Sequence, residues 1–220
     1  MASYFQDDTR ESEMIRLFEL TKDKEEGRSG VDAFLEIGDT RISFELKTTS
    51  KGSVTTVRDF GPDHIQKWQN LHWLFGFFND NAVVYKYGSP AMMYPWIAEK
   101  KQYISTNFWL ATLLPEKLTL SDLYHICGEK LVYTYDDARA IQKNQYNKSH
   151  YISLQDVEDG YSPTRMLEIL SDRAKYLIER GSTLNNPHIP ARYFEGWEEI
   201  TQNHAKRLRE LVEAYLAAHS

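Results

Sequence analysis

Residues 30–50 read GVDAFLEIGDTRISFELKTTS. Two stretches that alternate apolar and polar residues, 31–37 and 41–47, flank Gly38-Asp39, a pair suited to a tight hairpin turn. With the turn centred there, residue 37 opposes 40 and residue 35 opposes 42. A symmetric loop of two or four residues keeps the same register. One face then carries Val31/Leu46, Ala33/Phe44 and Leu35/Ile42, wholly apolar and bound to face a core. The other carries Glu36/Arg41, Phe34/Ser43 and Asp32/Glu45, with Lys47 two residues further on. Glu36/Arg41 is a favourable cross-strand ion pair. Asp32/Glu45 is not.

Directly opposed carboxylates have Cβ atoms ~4.5–5.5 Å apart, and like charges at that separation destabilise a hairpin. Beside a packed core they also force one carboxyl pKa upward unless a positive charge intervenes. A hard divalent cation resolves the conflict: Mg²⁺ binds through one or two carboxylates, retains waters and accepts phosphate oxygens. Lys47 on the same face would orient or deprotonate a water, or stabilise charge on a phosphorane-like transition state. Two carboxylates, an ammonium and a metal suit phosphodiester hydrolysis. The competing reading is a surface hairpin whose Asp32, Glu45 and Lys47 simply solvate one face.

Asp32, then twelve residues, then Glu45-Leu46-Lys47 closing an apolar strand resembles the PD-(D/E)xK nuclease superfamily. The proline of that motif is absent, since Gly30-Val31 precedes Asp32. The resemblance covers about residues 8–90, as helix, hairpin, helix and strand. No extra strand is evident before Asp32. The resemblance implies an α/β (α+β) restriction-endonuclease-like core, a mixed central sheet flanked by helices, with a largely helical C-terminal portion. It also implies that Asp32 and Glu45 ligate Mg²⁺, with the Leu46 carbonyl a possible third ligand. Lys47 becomes the water-activating or transition-state group, and products carry 5′-phosphate and 3′-hydroxyl ends. Members often add a glutamate from the first helix. On a helix over 8–26, opened by Asp8 and Glu11 in a capping-box spacing, Glu11 falls nearest the apolar stripe of Met14 and Phe18. A first-turn carboxylate favoured by the helix dipole is the alternative for Glu11. Gln66 and Lys67 lie where the superfamily presents polar groups to the scissile phosphate, early in a helix over 63–79 that starts after Pro62 and carries Ile65, Trp68, His72 and Phe75 on one stripe.

Residues 48–61 are rich in Ser, Thr and Gly and read as a loop, in which Lys51 and Arg58 would contact backbone phosphates. AVVYKYG (82–88) reads as a strand. In the second half, Ser121 caps a short helix ending before Gly128, LVYTY (131–135) is strand-like, and Asp136 caps a helix to about residue 146. Ser162-Pro163 opens a helix that Gly181 closes, and a last helix covers roughly 193–218. The segment 138–151, ARAIQKNQYNKSHY, has no acidic residue and interleaves Arg139, Gln142, Lys143, Asn144, Gln145, Asn147 and Lys148 with Tyr146 and Tyr151. Those side-chain types read guanine and adenine edges in a major groove, so this segment is the candidate for base readout; a polar helix end and loop is the alternative.

Composition sets the frame. A chain of 220 residues with 41% apolar and 13% aromatic residues supports a folded domain, expected to span 1–220 with a catalytic core at 8–90 and a helical part at 91–220 for DNA recognition or dimerisation. A net charge of −6 excludes a general basic coat, so nucleic-acid binding must rest on a local site. One cysteine, Cys127, excludes an internal disulfide or a Cys-rich zinc site. Neither a Gly-rich phosphate loop nor a G-x-S-x-G elbow is present, which removes support for ATP-driven and serine-hydrolase functions. The N-terminal stretch lacks an apolar signal core, so a cytoplasmic location is expected. The combined expectation is an Mg²⁺-dependent type II restriction endonuclease of a restriction-modification system, acting on double-stranded DNA as a symmetric homodimer without a membrane partner. Two other readings stay open: a structure- or end-specific repair, phage or recombination nuclease, and a noncatalytic DNA-binding protein.

Overall fold

The hairpin forms in the register that its alternation requires. In a computed structural model, β1 (Ala33–Ile37) and β2 (Thr40–Thr49) pair antiparallel, with Ala33 opposite Phe44, Leu35 opposite Ile42 and Glu36 opposite Arg41. Gly38 takes φ +56° at the turn, the left-handed conformation a Cβ disfavours. The structure describes residues 2–23, 30–56, 61–79, 82–181 and 187–219, with the side chains of 2–8 left aside. β2 continues into a four-stranded mixed sheet ordered β1-β2-β4-β5. β4 (His72–Asn79) runs parallel to β2, and β5 (Ala82–Gly88) antiparallel to β4.

β4 corrects the helix expected over 63–79. The helix α2 stops at Trp68 (Pro62–Trp68), and His72 and Phe75 lie on the strand. The reason is physical. A central strand covered on both faces reads as an unbroken apolar run, and LHWLFGFF carries no strand period to oppose a helical stripe. One face packs Ala33, Leu35, Ile42, Phe44, Leu46 and Leu74 against Met14 of helix α1 (Ala2–Leu17), Phe18 just after it, and Leu208 and Val212 of helix α8 (His204–His219). The other is aromatic: Trp73 lies 5.1 Å from Trp68 and stacks on Phe75, and Phe75 meets Phe194 edge-on at 4.9 Å. Gly76 lets α1 approach β4, since a Cβ there would lie 3.1 Å from Met14 Sδ and 2.8 Å from the Phe78 ring.

Both terminal helices differ from expectation because short strand-like segments replace their ends. α1 begins at Ala2, which puts Asp8 inside the helix rather than at its cap. It ends at Leu17, and after Glu19 (φ 54°) Thr21 pairs with Phe34 through two 2.8 Å main-chain hydrogen bonds. α8 starts at His204 instead of near 193. Before it come a 3₁₀ turn (Ala191–Phe194), Gly196 at φ 76°, and Ile200, which pairs with Tyr85 at the outer edge of β5. Within the expected loop, β2 persists to Thr49 and β3 (Val54–Thr55) pairs with β6 (His188–Ile189).

The chain divides into two compact units, Met1–Lys101 with Asn185–Ser220, and Gln102–Leu184. The division thus falls inside helix α3 (Pro90–Leu113) rather than at residue 90, and the last segment belongs with the sheet. In the second unit, α4 (Leu120–Cys127) and α5 (Tyr135–Gln142) are each opened by a threonine capping box, Thr119 with Asp122 and Thr134 with Asp137, in both cases two residues before the expected caps at Ser121 and Asp136. LVYTY is not a strand: Tyr133 forms one bridge to Tyr161, and Thr134 already caps α5. After α6 (Lys148–Ser153), α7 (Pro163–Arg180) starts at Ser162 and closes at Gly181 as expected. Leu123, Tyr133, Tyr151, Tyr161, Met166 and Ile169 form the core of this unit. Among the described residues, no helix is long and apolar enough to cross a membrane.

Candidate active site

At its open end the hairpin leaves ideal pairing, and the site forms there. The ladder stops at Ala33 opposite Phe44. Asp32 donates its N–H to the Phe44 carbonyl at 3.2 Å, one residue out of step with the 32/45 opposition expected, so the Val31/Leu46 pair does not form. The Asp32 carboxylate takes over the ladder's role, accepting the Leu46 N–H at 2.9 Å through Oδ2. Glu45, next along β2, is buried, with a side chain only 6% exposed. Glu36 and Arg41 form the expected ion pair at 3.3 Å, while the Arg41 guanidinium also covers the Phe34 ring.

The two carboxylates converge on one atom. Lys47 Nζ lies 2.8 Å from Glu45 Oε1, 3.5 Å from Asp32 Oδ2 and 2.8 Å from the Leu46 carbonyl oxygen. A second ammonium completes the cluster. Lys67, near the end of α2, donates to the Gly30 carbonyl at 2.7 Å and stands 3.1 Å from Glu45 Oε2. That oxygen is fully buried and receives no well-directed hydrogen bond. The acid pair is therefore neutralised within the chain by two lysines, which corrects the expectation that only a bound metal ion makes its closeness tolerable.

Electrostatics follow from this packing. Burial is the largest influence on Asp32 and raises its carboxyl above the ordinary range, with Glu45 adding to the rise and Lys47 opposing it. Burial acts on Glu45 in the same sense, but Lys47 and Lys67 together outweigh it and hold the group below its ordinary value. Burial disfavours the Lys47 charge, yet Glu45 and Asp32 more than offset that, and Glu11 adds to the rise. Lys47 is thus held as a cation well beyond the ordinary lysine range. In this arrangement it is a hydrogen-bond donor and a positive charge, not a base.

Asp32, Glu45, the Leu46 carbonyl and Lys47 are brought together as the sequence suggests. Glu11 is half-buried on α1, and its charge acts on Lys47. Gln66 is exposed on α2, whereas its neighbour Lys67, assigned from sequence to DNA contact, turns into the acidic cluster. Lys51 is exposed beyond β2, with its main-chain N–H bonded to Thr49 Oγ1. Arg58 lies outside the described residues.

The expected readout segment is two short helices joined by a left-handed turn at Lys143 and Asn144. Gln142 is 2% exposed and donates to the Ile169 carbonyl at 2.7 Å, which corrects its assignment to base contact. Asn147 caps α6 by accepting the His150 N–H, and Asn144 accepts from Arg139 Nε. Lys143, Gln145 and Lys148 are exposed. The contact of Lys67 with Glu45 was not foreseen from sequence; the only signal was a lysine beside Trp68, five residues before the strand aligned with Glu45.

The donor set around Lys47 Nζ, two carboxylates and a main-chain carbonyl, is oxygen-only and suits a hard divalent cation such as Mg²⁺. Among the described residues, no three His, Cys, Asp or Glu side chains gather as a metal-binding group, so water and phosphate oxygens would have to complete the coordination. No model of a known protein family matches the chain, and no curated protein matches it significantly.

Proposed function

We propose that the protein is an Mg²⁺-dependent endonuclease of restriction-endonuclease-like fold that hydrolyses phosphodiesters of double-stranded DNA at specific sequences, leaving 5′-phosphate and 3′-hydroxyl ends. The observation that carries this reading is the convergence of Asp32 Oδ2, Glu45 Oε1 and the Leu46 carbonyl on a single cationic atom. Lys47 Nζ occupies the centre of three hard oxygen ligands. Asp32, Glu45 and the Leu46 carbonyl would hold Mg²⁺, which when bound polarises a phosphate oxygen and lowers the pKa of a water. Asp32 fixes the end of β1 by bonding the Leu46 N–H, so ligand position and hairpin geometry are coupled. Lys47, kept protonated, donates to negative charge developing on the scissile phosphate rather than abstracting a proton. Glu11 supports that charge from α1.

Sequence specificity and a homodimer are parts of the same proposal. Exposed Lys143, Gln145 and Lys148 support DNA contact by the helical unit, as exposed Lys51 does for the sheet unit. Two strands and one site per chain favour two-fold pairing of subunits. Incubating the full chain with a large mixed DNA, with Mg²⁺ or with a chelator, tests the reading. Discrete fragments bearing 5′-phosphates, seen only with Mg²⁺, are expected; a smear would instead mean structure- or end-directed cutting. A noncatalytic DNA-binding role is favoured by one observation, the charge balance of Asp32 and Glu45 with Lys47 and Lys67. Intact DNA at every Mg²⁺ concentration would decide for it.

A further inference from the structure

We infer that Lys67 is a positioning residue that sets the ion selectivity of the acidic site, by withholding one oxygen of Glu45. This deepens the proposed function and rests on its reading of Asp32 and Glu45 as cation ligands.

The two lysines make different contacts. Lys47 shares Oε1 of Glu45 with Asp32 Oδ2 and the Leu46 carbonyl, so it sits where an incoming cation would sit. Lys67 touches none of those three oxygens among the described contacts. It is tied at 2.7 Å to the Gly30 carbonyl and stands at 3.1 Å over Oε2, the oxygen on the far side of the carboxylate. A cation entering at the Lys47 position displaces one ammonium and leaves the other in place. Glu45 is then presented through Oε1 alone. Gly30 is also two residues before Asp32, so the Lys67 contact links the approach of both acidic residues to α2.

One-oxygen presentation discriminates between ions. Mg²⁺ is small, requires near-octahedral geometry and is content with single carboxylate oxygens and waters. Ca²⁺ takes six to eight oxygens and gains from carboxylates that bind through both. With Oε2 held by Lys67, the bidentate mode is closed and Ca²⁺ loses more than Mg²⁺. Because Oε2 is buried and poorly hydrogen-bonded, removing Lys67 leaves an acceptor that a larger ion can satisfy.

The test is calorimetric titration of MgCl₂ and of CaCl₂ into the full chain as wild type, Lys67→Met, Lys67→Gln and Lys67→Arg, with circular dichroism to verify folding. Loss of a charge tightens both ions together, so the ratio of the two affinities isolates the freed oxygen. The ratio is expected to move toward Ca²⁺ by about tenfold in the neutral variants, and to stay near wild type in Lys67→Arg. Should Lys67→Met not fold, Lys67→Gln keeps a polar head and carries the comparison. An unchanged ratio in a folded neutral variant overturns the inference. If that occurs while wild type binds Mg²⁺ and Asp32→Asn does not, the cation site stands and only the selectivity role of Lys67 falls. Absence of binding of either ion to wild type overturns both.

Discussion

Two polar segments of this chain look equally suggestive in sequence, and the structure uses them in different ways. In residues 138–151, the amides are consumed by the fold: Gln142 is buried against the Ile169 carbonyl, Asn147 caps α6, and Asn144 receives Arg139. At the hairpin, the polar groups are charged and half- or fully buried; Asp32, Lys47 and Lys67 each bond one main-chain group, and beyond that the two acids and two lysines pair with one another. Burying two carboxylates and two ammoniums beside an apolar sheet is costly compared with packing hydrophobic residues there. The difference teaches that residue type is a weak guide to function and the use of its hydrogen-bonding capacity a strong one. A polar side chain that completes a helix end is explained by folding, whereas a buried acid pair is not.

The largest expected effect separates the two segments. Glu45→Gln or Lys47→Ala should lower Mg²⁺-dependent cleavage by about three orders of magnitude while the chain remains folded, measured as initial plasmid-cutting rates beside circular dichroism. Gln142→Ala should leave the cutting rate per folded molecule unchanged. Comparable losses in all three would erase the distinction.

Acid sensitivity is next, and it belongs to the sheet unit. Burial lowers the His72 pKa to about 4 from 6.5, and its Nδ1 lies 2.7 Å from the Tyr87 hydroxyl oxygen. Above pH 6.5 both folded and unfolded chains hold this histidine neutral, so it adds no pH slope. Between 6.5 and about 4 the unfolded chain binds the proton first, and stability falls with pH before levelling below that range. The loss attributable to this group is about 3 kcal/mol across the window, measurable by urea unfolding as a function of pH. His72→Phe should flatten that slope.

Within the helical unit the effects are smaller. Gln142→Ala removes a buried amide that donates to the Ile169 carbonyl and the Tyr146 hydroxyl, and should cost about 2 kcal/mol in chemical denaturation. Asn147→Ala removes a cap and should cost about 1 kcal/mol. Lys148→Ala should leave stability within about 0.5 kcal/mol; if it meets a phosphate, the log–log salt slope of DNA binding falls by about one.

The hairpin was legible because two signals agreed, a period of two and a turn dipeptide, and together they set the partner of every residue from Ala33 to Phe44. That register gave the expectation that Asp32, Glu45 and Lys47 share one face. The one-residue slip at Asp32 was not legible, because it depends on a side chain capturing the Leu46 N–H. β4 was hidden for the opposite reason: a strand buried on both faces has no polar positions to reveal its period. The ends of α1 and α8 depended on Thr21 and Ile200 adding to distant strand edges, long-range pairings that no local window contains. Lys67 reaches Glu45 across 22 positions of sequence and Gly30 across 37, so its placement is a product of the tertiary fold.

The most direct measurement is Mg²⁺ titration into the wild-type chain alongside Asp32→Asn and Glu45→Gln, each verified as folded. Saturable binding in wild type, lost in both variants, is the predicted result. Wild type that takes up no Mg²⁺, or variants that bind it as tightly as wild type, would contradict the assignment of the paired carboxylates as its ligands.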